Sequence, residues 1–244
     1  MVPLPVEQRA KFFVFVIESP SAVDLYHRRS EGEIIRQAVE LNQIPCIVRT
    51  AISLEAFDAC LKIGLSDAMK AMPGSIPLLH ISAHGDSNGI GLSNGYHMTW
   101  NELRSHLRPI NEALNGTLIV CMSSCEGYSG TRMAMYPTDS KLPYLVLVGC
   151  VTKPVWGETA VGFATLYHQL ARGEHIDTAV AAMRTASGNE GFIVEHAEVS
   201  LKGYLEYIKS VDISLISANL AEIVASEPPG EQTAQGKLRA LSKP

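Results

Sequence analysis

Short, nearly continuous apolar runs alternate along the chain with longer stretches in which apolar residues recur every three or four positions. The first kind suits strands buried on both faces and the second suits the helices that cover them. The succession therefore predicts an α/β fold, an open, mostly parallel sheet flanked by helices on both faces. Lys11 to Ile17 is the first such run, followed by a loop containing Ser19, Pro20 and Ser21. A helical pattern from about Ser30 to Asn42 is carried by Ile34, Ile35, Ala38, Val39 and Leu41. Pro45 opens a second strand through Cys46, Ile47 and Val48. Ser53 is placed to cap a helix whose apolar residues are Leu54, Phe57, Ala59, Leu61 and Leu65.

After the Pro73-Gly74 break, Ile76 to Ala83 reads as a third strand ended by His84-Gly85, and residues 85 to 98 read as a loop or small hairpin. Thr99 and Glu102 have capping-box spacing and start a helix. Asn115-Gly116 turns the chain into a fourth strand, Thr117 to Met122, which runs into Ser123-Ser124-Cys125. A loop to about Leu142 leads to a fifth strand, Tyr144 to Cys150, and helices follow over roughly Glu158 to Ala171 and Ile176 to Ser187. The pattern from Gly191 is weaker, although Tyr204 to Ile208 and Ile213 to Val224 are apolar enough to pack on the body. Residues 1–225 are accordingly expected to form one domain, and the polar, Pro- and Gly-bearing residues 226–244 a flexible tail.

With 46% hydrophobic and 18% charged residues, the 244-residue chain has the composition of a globular protein. Twenty Lys and Arg against 25 Asp and Glu leave a formal charge of −5, and no segment gathers basic residues into a stripe for phosphates. Nucleic acid is therefore not expected as a direct ligand. The longest apolar runs, Phe12 to Ile17 and Tyr144 to Val151, fall far short of the roughly 18–20 residues that span a bilayer. The start, MVPLPVEQRAK, lacks the charged and then apolar segments of a secretory signal. No membrane association is expected, and the cytoplasm is the expected compartment. The five cysteines, Cys46, Cys60, Cys121, Cys125 and Cys150, are expected there as free thiols.

Two predicted strands end in chemically complementary residues, His84 and Cys125, each followed by Gly directly or after one residue. In an open parallel sheet, ligands sit beyond the carboxyl ends of the strands, so adjacent third and fourth strands bring both side chains to one edge. An unperturbed thiol, with a pKa of about 8.5, is only a few per cent thiolate at neutral pH, so a nucleophilic cysteine needs a base such as imidazole. The same imidazole later protonates the leaving amine. Gly85 presents no side chain to block a carbonyl oxygen. Its N–H and that of Cys125 are candidate oxyanion-hole donors, an effect worth about 2.7–4 kcal/mol per donor in a measured protease.

The segments HISAHGDSNGIGLSNG (80–95) and TLIVCMSSCEG (117–127) resemble the His-Gly and Cys motifs of caspase-like clan CD cysteine peptidases. Within that clan they are most similar to CHAT domains, with an H-x-x-x-H-G-like motif from His80 to Gly85 and an S-x-C-like motif from Ser123 to Cys125. FATLYHQLARGEHIDTAVAAMR (163–184) resembles the CHAT segment in which an aromatic helix, a Gly break and an Ala-rich helix follow the last core strand. The resemblance covers roughly residues 76 to 187. It implies a caspase-like fold, peptide-bond cleavage, His84 as general base, Cys125 as nucleophile and Gly85 in the oxyanion hole, with no third catalytic residue evident. Some family members are switched on by a partner. No long appended repeat region is read in these 244 residues, so a regulator is expected elsewhere.

Other assignments are weaker on chemical grounds. Cys121 shares a face with Cys125 only if the strand runs that far. His80, His84, Cys121 and Cys125 lack the short C-x-x-C knuckle of a zinc site, and Gly89-x-Gly91 lacks dinucleotide spacing, so neither metal nor cofactor is expected. His80 is expected in the core or behind the site. The loop after the first strand holds Glu18, Asp24, Arg28 and Arg29, any of which could face a substrate pocket together with Glu126 and Trp156. An acidic residue facing that pocket selects a basic P1 side chain and an arginine selects an acidic one. The expected function is a cysteine endopeptidase acting on proteins or peptides through a His84/Cys125 dyad and an acyl-enzyme. It is either active as it stands or latent until a partner or ligand orders the loop 126–142. The alternative is a catalytically inactive caspase-like module that binds protein in a regulatory or defence complex.

Overall fold

The computed structural model describes residues 11–137 and 141–211. The chain divides into a compact unit over residues 1–203 and a second over 204–244, of which the described part is helical. The apolar segment Ile213 to Val224 and the expected tail at 226–244 lie outside the described residues.

Eight strands form one sheet: β1 (Phe12–Ser19), β2 (Cys46–Thr50), β3 (Ile76–Asp86), β4 (Gly89–Gly91), β5 (His97–Thr99), β6 (Ile119–Ser123), β7 (Val146–Cys150) and β8 (Phe192–His196). The main path runs β2-β1-β3-β6-β7-β8, parallel until β8, which pairs antiparallel with β7. β3 outruns its parallel neighbours, and His84 to Asp86 pair antiparallel with β4, which pairs in turn with β5. The chain leaves β1 toward β2 on one side and toward β3 on the other, so the switch in strand order falls at β1, where an open α/β sheet leaves a crevice.

Period-2 alternation in β1 decides the layering. Phe13, Phe15 and Ile17 bury against Phe57, Leu65, Leu103 and Leu107, that is, against α3 (Leu54–Ala59), the π-helical turn Cys60–Leu65, α4 (Ser66–Ala71) and α5 (Trp100–Ala113). Val14 and Val16 bury on the opposite face with residues of α2 (Glu31–Glu40), α6 (Trp156–Ala171) and α7 (Ile176–Ser187), among them Ile35, Phe163, Tyr167 and Met183. This is the expected caspase-like α/β arrangement, a mostly parallel sheet with helices on both faces.

The second face turns polar at the carboxyl ends of the strands. Glu18 lies beside Ser82 in register and Ser82 beside Ser123, so these three residues form a row across β1, β3 and β6. The row receives the start of α2. Glu18 accepts hydrogen bonds from Ser30 Oγ (2.8 Å), Glu31 N (2.7 Å) and Gly32 N (3.3 Å), capping the helix with a carboxylate at its positive end. A Cβ on Gly32 would lie 2.7 Å from Val48 Cγ1, so glycine permits this close approach of helix to sheet.

Several elements differ from the sequence pattern. The stretch after Ser21 is a five-residue helix, α1 (Ala22–Tyr26), capped by Ser21, too short to show a helical period. A 3-10 helix, Gly127–Ala134, occupies much of the expected loop before β7. β8, read as unpatterned, is a short edge strand, and α8 (Ala197–Ser210) follows it.

Candidate active site

His84 and Cys125 line one small cleft of about 70 Å³ at the carboxyl ends of β1, β3 and β6, together with Ser19, Ser82, Ser123, Ser124, Glu31 and Trp156. β6 stops at Ser123, so Cys121 remains inside the strand, fully buried, and Cys125 stands beyond it, half-buried. Glu126, in the left-handed conformation at φ 53°, turns the chain sharply after Cys125 into the 3-10 helix, and its N–H donates to Thr152 O at 2.8 Å. His84 sits just past the last parallel pair of β3 and is held by the β4 hairpin.

Gly85 lies against the nucleophile segment. A Cβ there would fall 2.8 Å from Cys125 O and 2.9 Å from Ser124 Cβ. Gly85→Ala is therefore expected to force the two segments apart and to destabilise the fold by about 1–3 kcal/mol. Urea unfolding measures this, and an unchanged midpoint would show that the segments separate freely.

The structure sets a carboxylate beside His84. Asp24, placed with the pocket loop in the sequence, accepts a hydrogen bond from His84 Nε2 at 3.1 Å. Its side chain is 6% exposed against 59% for His84, so the aspartate is the fixed partner and orients the ring. Ser21 Oγ donates to Asp24 Oδ2 at 2.6 Å, and Arg29 Nη1 lies 3.6 Å from Oδ1. Burial works to raise the Asp24 pKa, but the bonds from Ser21 and His84 and the nearby His84 charge outweigh it, holding the carboxyl below its ordinary value. With Nε2–H given to Asp24, Nδ1 is the nitrogen left as a base.

Cys125 stands apart from the His84 ring. No hydrogen bond joins it to His84 among the described residues, and burial pushes its thiol up, opposed by Lys153 and reinforced by Glu126 and Cys150. In this state the sulfur is held protonated.

The expected pocket residues disperse. Glu18 is buried as the cap of α2 and does not reach the cleft. Arg28 and Arg29 line a separate hollow with Ser30, Glu33, Gly157 and Trp156, whose indole borders both spaces. Glu126 faces Lys153 at 3.6 Å. Of the six expected pocket residues, only Trp156 lines the cleft that holds Cys125.

The acid in the cleft is Glu31, which the sequence reading passed over. It opens α2, is 1% exposed, and accepts hydrogen bonds from Ser82 Oγ (2.5 Å) and Ser123 Oγ (2.8 Å). His80, fully buried on β3, stands behind it with Nε2 3.7 Å from Oε2 and Nδ1 2.8 Å from Tyr167 Oη. Burial disfavours the carboxylate, but His80, Ser82 and Ser123 outweigh that penalty and hold its pKa below the ordinary value, so Glu31 is ionised at neutral pH. The signal in the sequence was the pair Ser82 and Ser123, polar at inward positions of strands that are otherwise apolar. Buried hydroxyls require a partner. Among the described residues, no group of three or more His, Cys, Asp or Glu side chains is arranged to hold a metal ion. Nor is any helix among them long and apolar enough to cross a membrane.

Comparison with protein-family models and with curated proteins finds no match to the sequence. Among solved structures, the fold is similar to that of a secreted C11 cysteine protease from Bacteroides thetaiotaomicron in complex with an irreversible peptide inhibitor. The TM-score is 0.51 at 10% identity, over 78% of this chain and 67% of that one. Weaker likenesses, at TM-scores of 0.45 and 0.44, are to the Arg-specific cysteine proteinase gingipain R and to a complex of Porphyromonas gingivalis RgpB pro- and mature domains. Identities there are 10% and 11%, over 75% and 80% of this chain, which spans 45% and 49% of those chains. At such identities the likeness is one of fold.

Proposed function

We propose that the chain is a caspase-like cysteine endopeptidase of the CHAT type, working in the cytoplasm on protein substrates. The observation that carries this reading is the convergence of His84 and Cys125, from neighbouring strands, on one cleft. In the proposed reaction, His84 Nδ1 takes the Cys125 proton and the thiolate adds to a peptide carbonyl. The oxyanion is stabilised by the N–H groups of Gly85 and Cys125. Collapse of the intermediate expels the amine, which receives the proton from His84, and water then hydrolyses the thioester. The protonated, unengaged thiol supports latency: substrate or an activating partner brings His84 and Cys125 together. The same state favours a second reading, a protein-binding module without turnover.

Alkylation separates the two. Iodoacetamide is expected to label Cys125 in the folded protein, slowly at neutral pH and faster as pH rises past the ordinary thiol range. A peptidyl acyloxymethyl ketone is expected to form a thioether on the same sulfur. Cys125 left unmodified by both reagents, alone and with cell extract as the source of a partner, would leave the binding module as the reading.

A further inference from the structure

Trp156 borders two spaces. Besides the cleft that holds Cys125, it lines a hollow between the end of α1, the first turns of α2 and the start of α6, of about 710 Å³ against about 70 Å³ for the cleft. The hollow has the size of a ligand site. The two spaces share their walls: Ser30 lines the hollow and the next residue, Glu31, the cleft, while Val155 lines the hollow and Pro154 the cleft. A polypeptide lying across Cys125 therefore has only Trp156 to pass before it enters the hollow.

The charge of the hollow is positive. Arg28 is exposed on its lining and, among the described residues, has neither an ion pair nor a side-chain hydrogen bond. Arg29 Nη1 lies 3.6 Å from Asp24 Oδ1, beyond hydrogen-bond reach, and the side chain is 54% exposed, so its N–H fork is open to a second acceptor. Glu33 also lines the hollow, but Arg36 Nε and Nη2 and Gln37 Nε2 already donate to its carboxylate at 2.9, 2.5 and 2.9 Å. Beside the arginines stand Ile34, 49% exposed, and Val155, 63% exposed, next to the Trp156 ring. Two open guanidinium groups against a solvent-facing apolar wall are complementary to carboxylates flanked by apolar side chains.

We propose that the hollow is an exosite for an acidic segment of the substrate chain, one or two carboxylates between apolar residues, lying apart from the scissile bond. The carboxylates pair with Arg28 and Arg29, and their apolar neighbours cover Ile34, Val155 and Trp156. The proposal rests on the peptidase reading for the identity of this ligand as substrate. A basic segment would meet two like charges and is rejected. Because the contact lies away from the reacting atoms and is the same before and during reaction, it lowers KM and leaves kcat unchanged.

The first measurement does not involve Cys125. Acetyl-Leu-Glu-Glu-Leu-amide, and its counterparts with Gln or Lys in place of Glu, are titrated into the whole chain by calorimetry. Tryptophan fluorescence is a second readout that reports Trp156, since Trp100 is buried and donates to Ser87 O. The Glu peptide is expected to bind about tenfold tighter than the Gln peptide, and added salt to narrow the gap. Arg28→Gln is expected to erase the preference, Arg28→Lys to keep most of it and Ile34→Glu to abolish binding. Both positions are exposed, and circular dichroism verifies that each variant is folded. The second measurement uses quenched peptides with a cleavage site randomised over all residues and Leu-Glu-Glu-Leu or Leu-Gln-Gln-Leu placed upstream or downstream of it. In one placement the Glu version is expected to have about a tenfold lower KM at equal kcat, an advantage lost in Arg28→Gln. Absence of a binding preference for Glu over Gln overturns the hollow as an acidic-segment site. Preferential binding with no KM advantage in either placement overturns the substrate as its occupant and leaves a separate acidic protein. If no peptide is cleaved, the peptidase reading fails instead, and the titration alone decides the hollow.

Discussion

Cys125→Ala is expected to abolish peptide cleavage, His84→Ala to reduce kcat by about 10³–10⁴-fold, and Asp24→Asn by about 10²-fold or more. The grading follows from distance to the reacting bond. In the proposed reaction Cys125 supplies the bond itself. There His84 moves the proton, and without it a thiol whose pKa is raised by burial has no base. Asp24 acts one step back, through the 3.1 Å bond that fixes the His84 ring and its tautomer. An asparagine there offers an N–H as readily as an oxygen, so the ring is free to turn or to exchange the proton between Nδ1 and Nε2. Stability separates positioning from packing. Asp24→Asn is expected to lower kcat at every pH with the urea-unfolding midpoint little changed, whereas a merely structural defect lowers both. Turnover by Cys125→Ala at the wild-type rate would end the peptidase reading.

His80→Leu is expected to destabilise the protein by about 3 kcal/mol, measured by urea unfolding. Leucine keeps apolar contact with Phe163, whose ring centroid lies 4.7 Å from that of His80, so the loss is electrostatic. It removes the group facing the Glu31 carboxylate and the nitrogen paired with Tyr167 Oη. The change also alters the response to acid. In wild type the Glu31 carboxyl titrates below its ordinary value of 4.5, so its contribution is complete above that value and fades as pH falls toward the folded-state pKa. Without His80 the depression is lost or reversed, and the fall in stability as pH drops below the ordinary carboxyl value of 4.5 is expected to flatten. A variant as stable as wild type would mean that Ser82 and Ser123 alone sustain the buried charge.

The layered sheet was legible because a strand buried on both faces must be apolar throughout, and LysPhePheValPheValIle at 11–17 or TyrLeuValLeuValGlyCys at 144–150 admits no other role. His84 and Cys125 were legible because they punctuate such runs. Asp24 and Glu31 were not: each acts on a residue more than 50 positions away, and nothing in their own neighbourhoods distinguishes them from the other acids after β1. Only the register that puts Ser82 against Ser123, and the cap that seats α2 over both, determines which acid enters the cleft. The strand β8 escaped because FIVEH is brief and pairs only at an edge.

β1 is the first strand among the described residues yet lies inside the sheet, between a neighbour that arrives some 30 residues later and one that arrives some 60 residues later. During synthesis, Phe12 to Ile17 leaves the ribosome as an uncharged run of high β propensity with both of its hydrogen-bonding edges open. Chains cut before β3 would keep that run exposed permanently and should precipitate, whereas the longer chain closes β1 on both sides. Soluble expression is thus tied to synthesis continuing at least through Asp86.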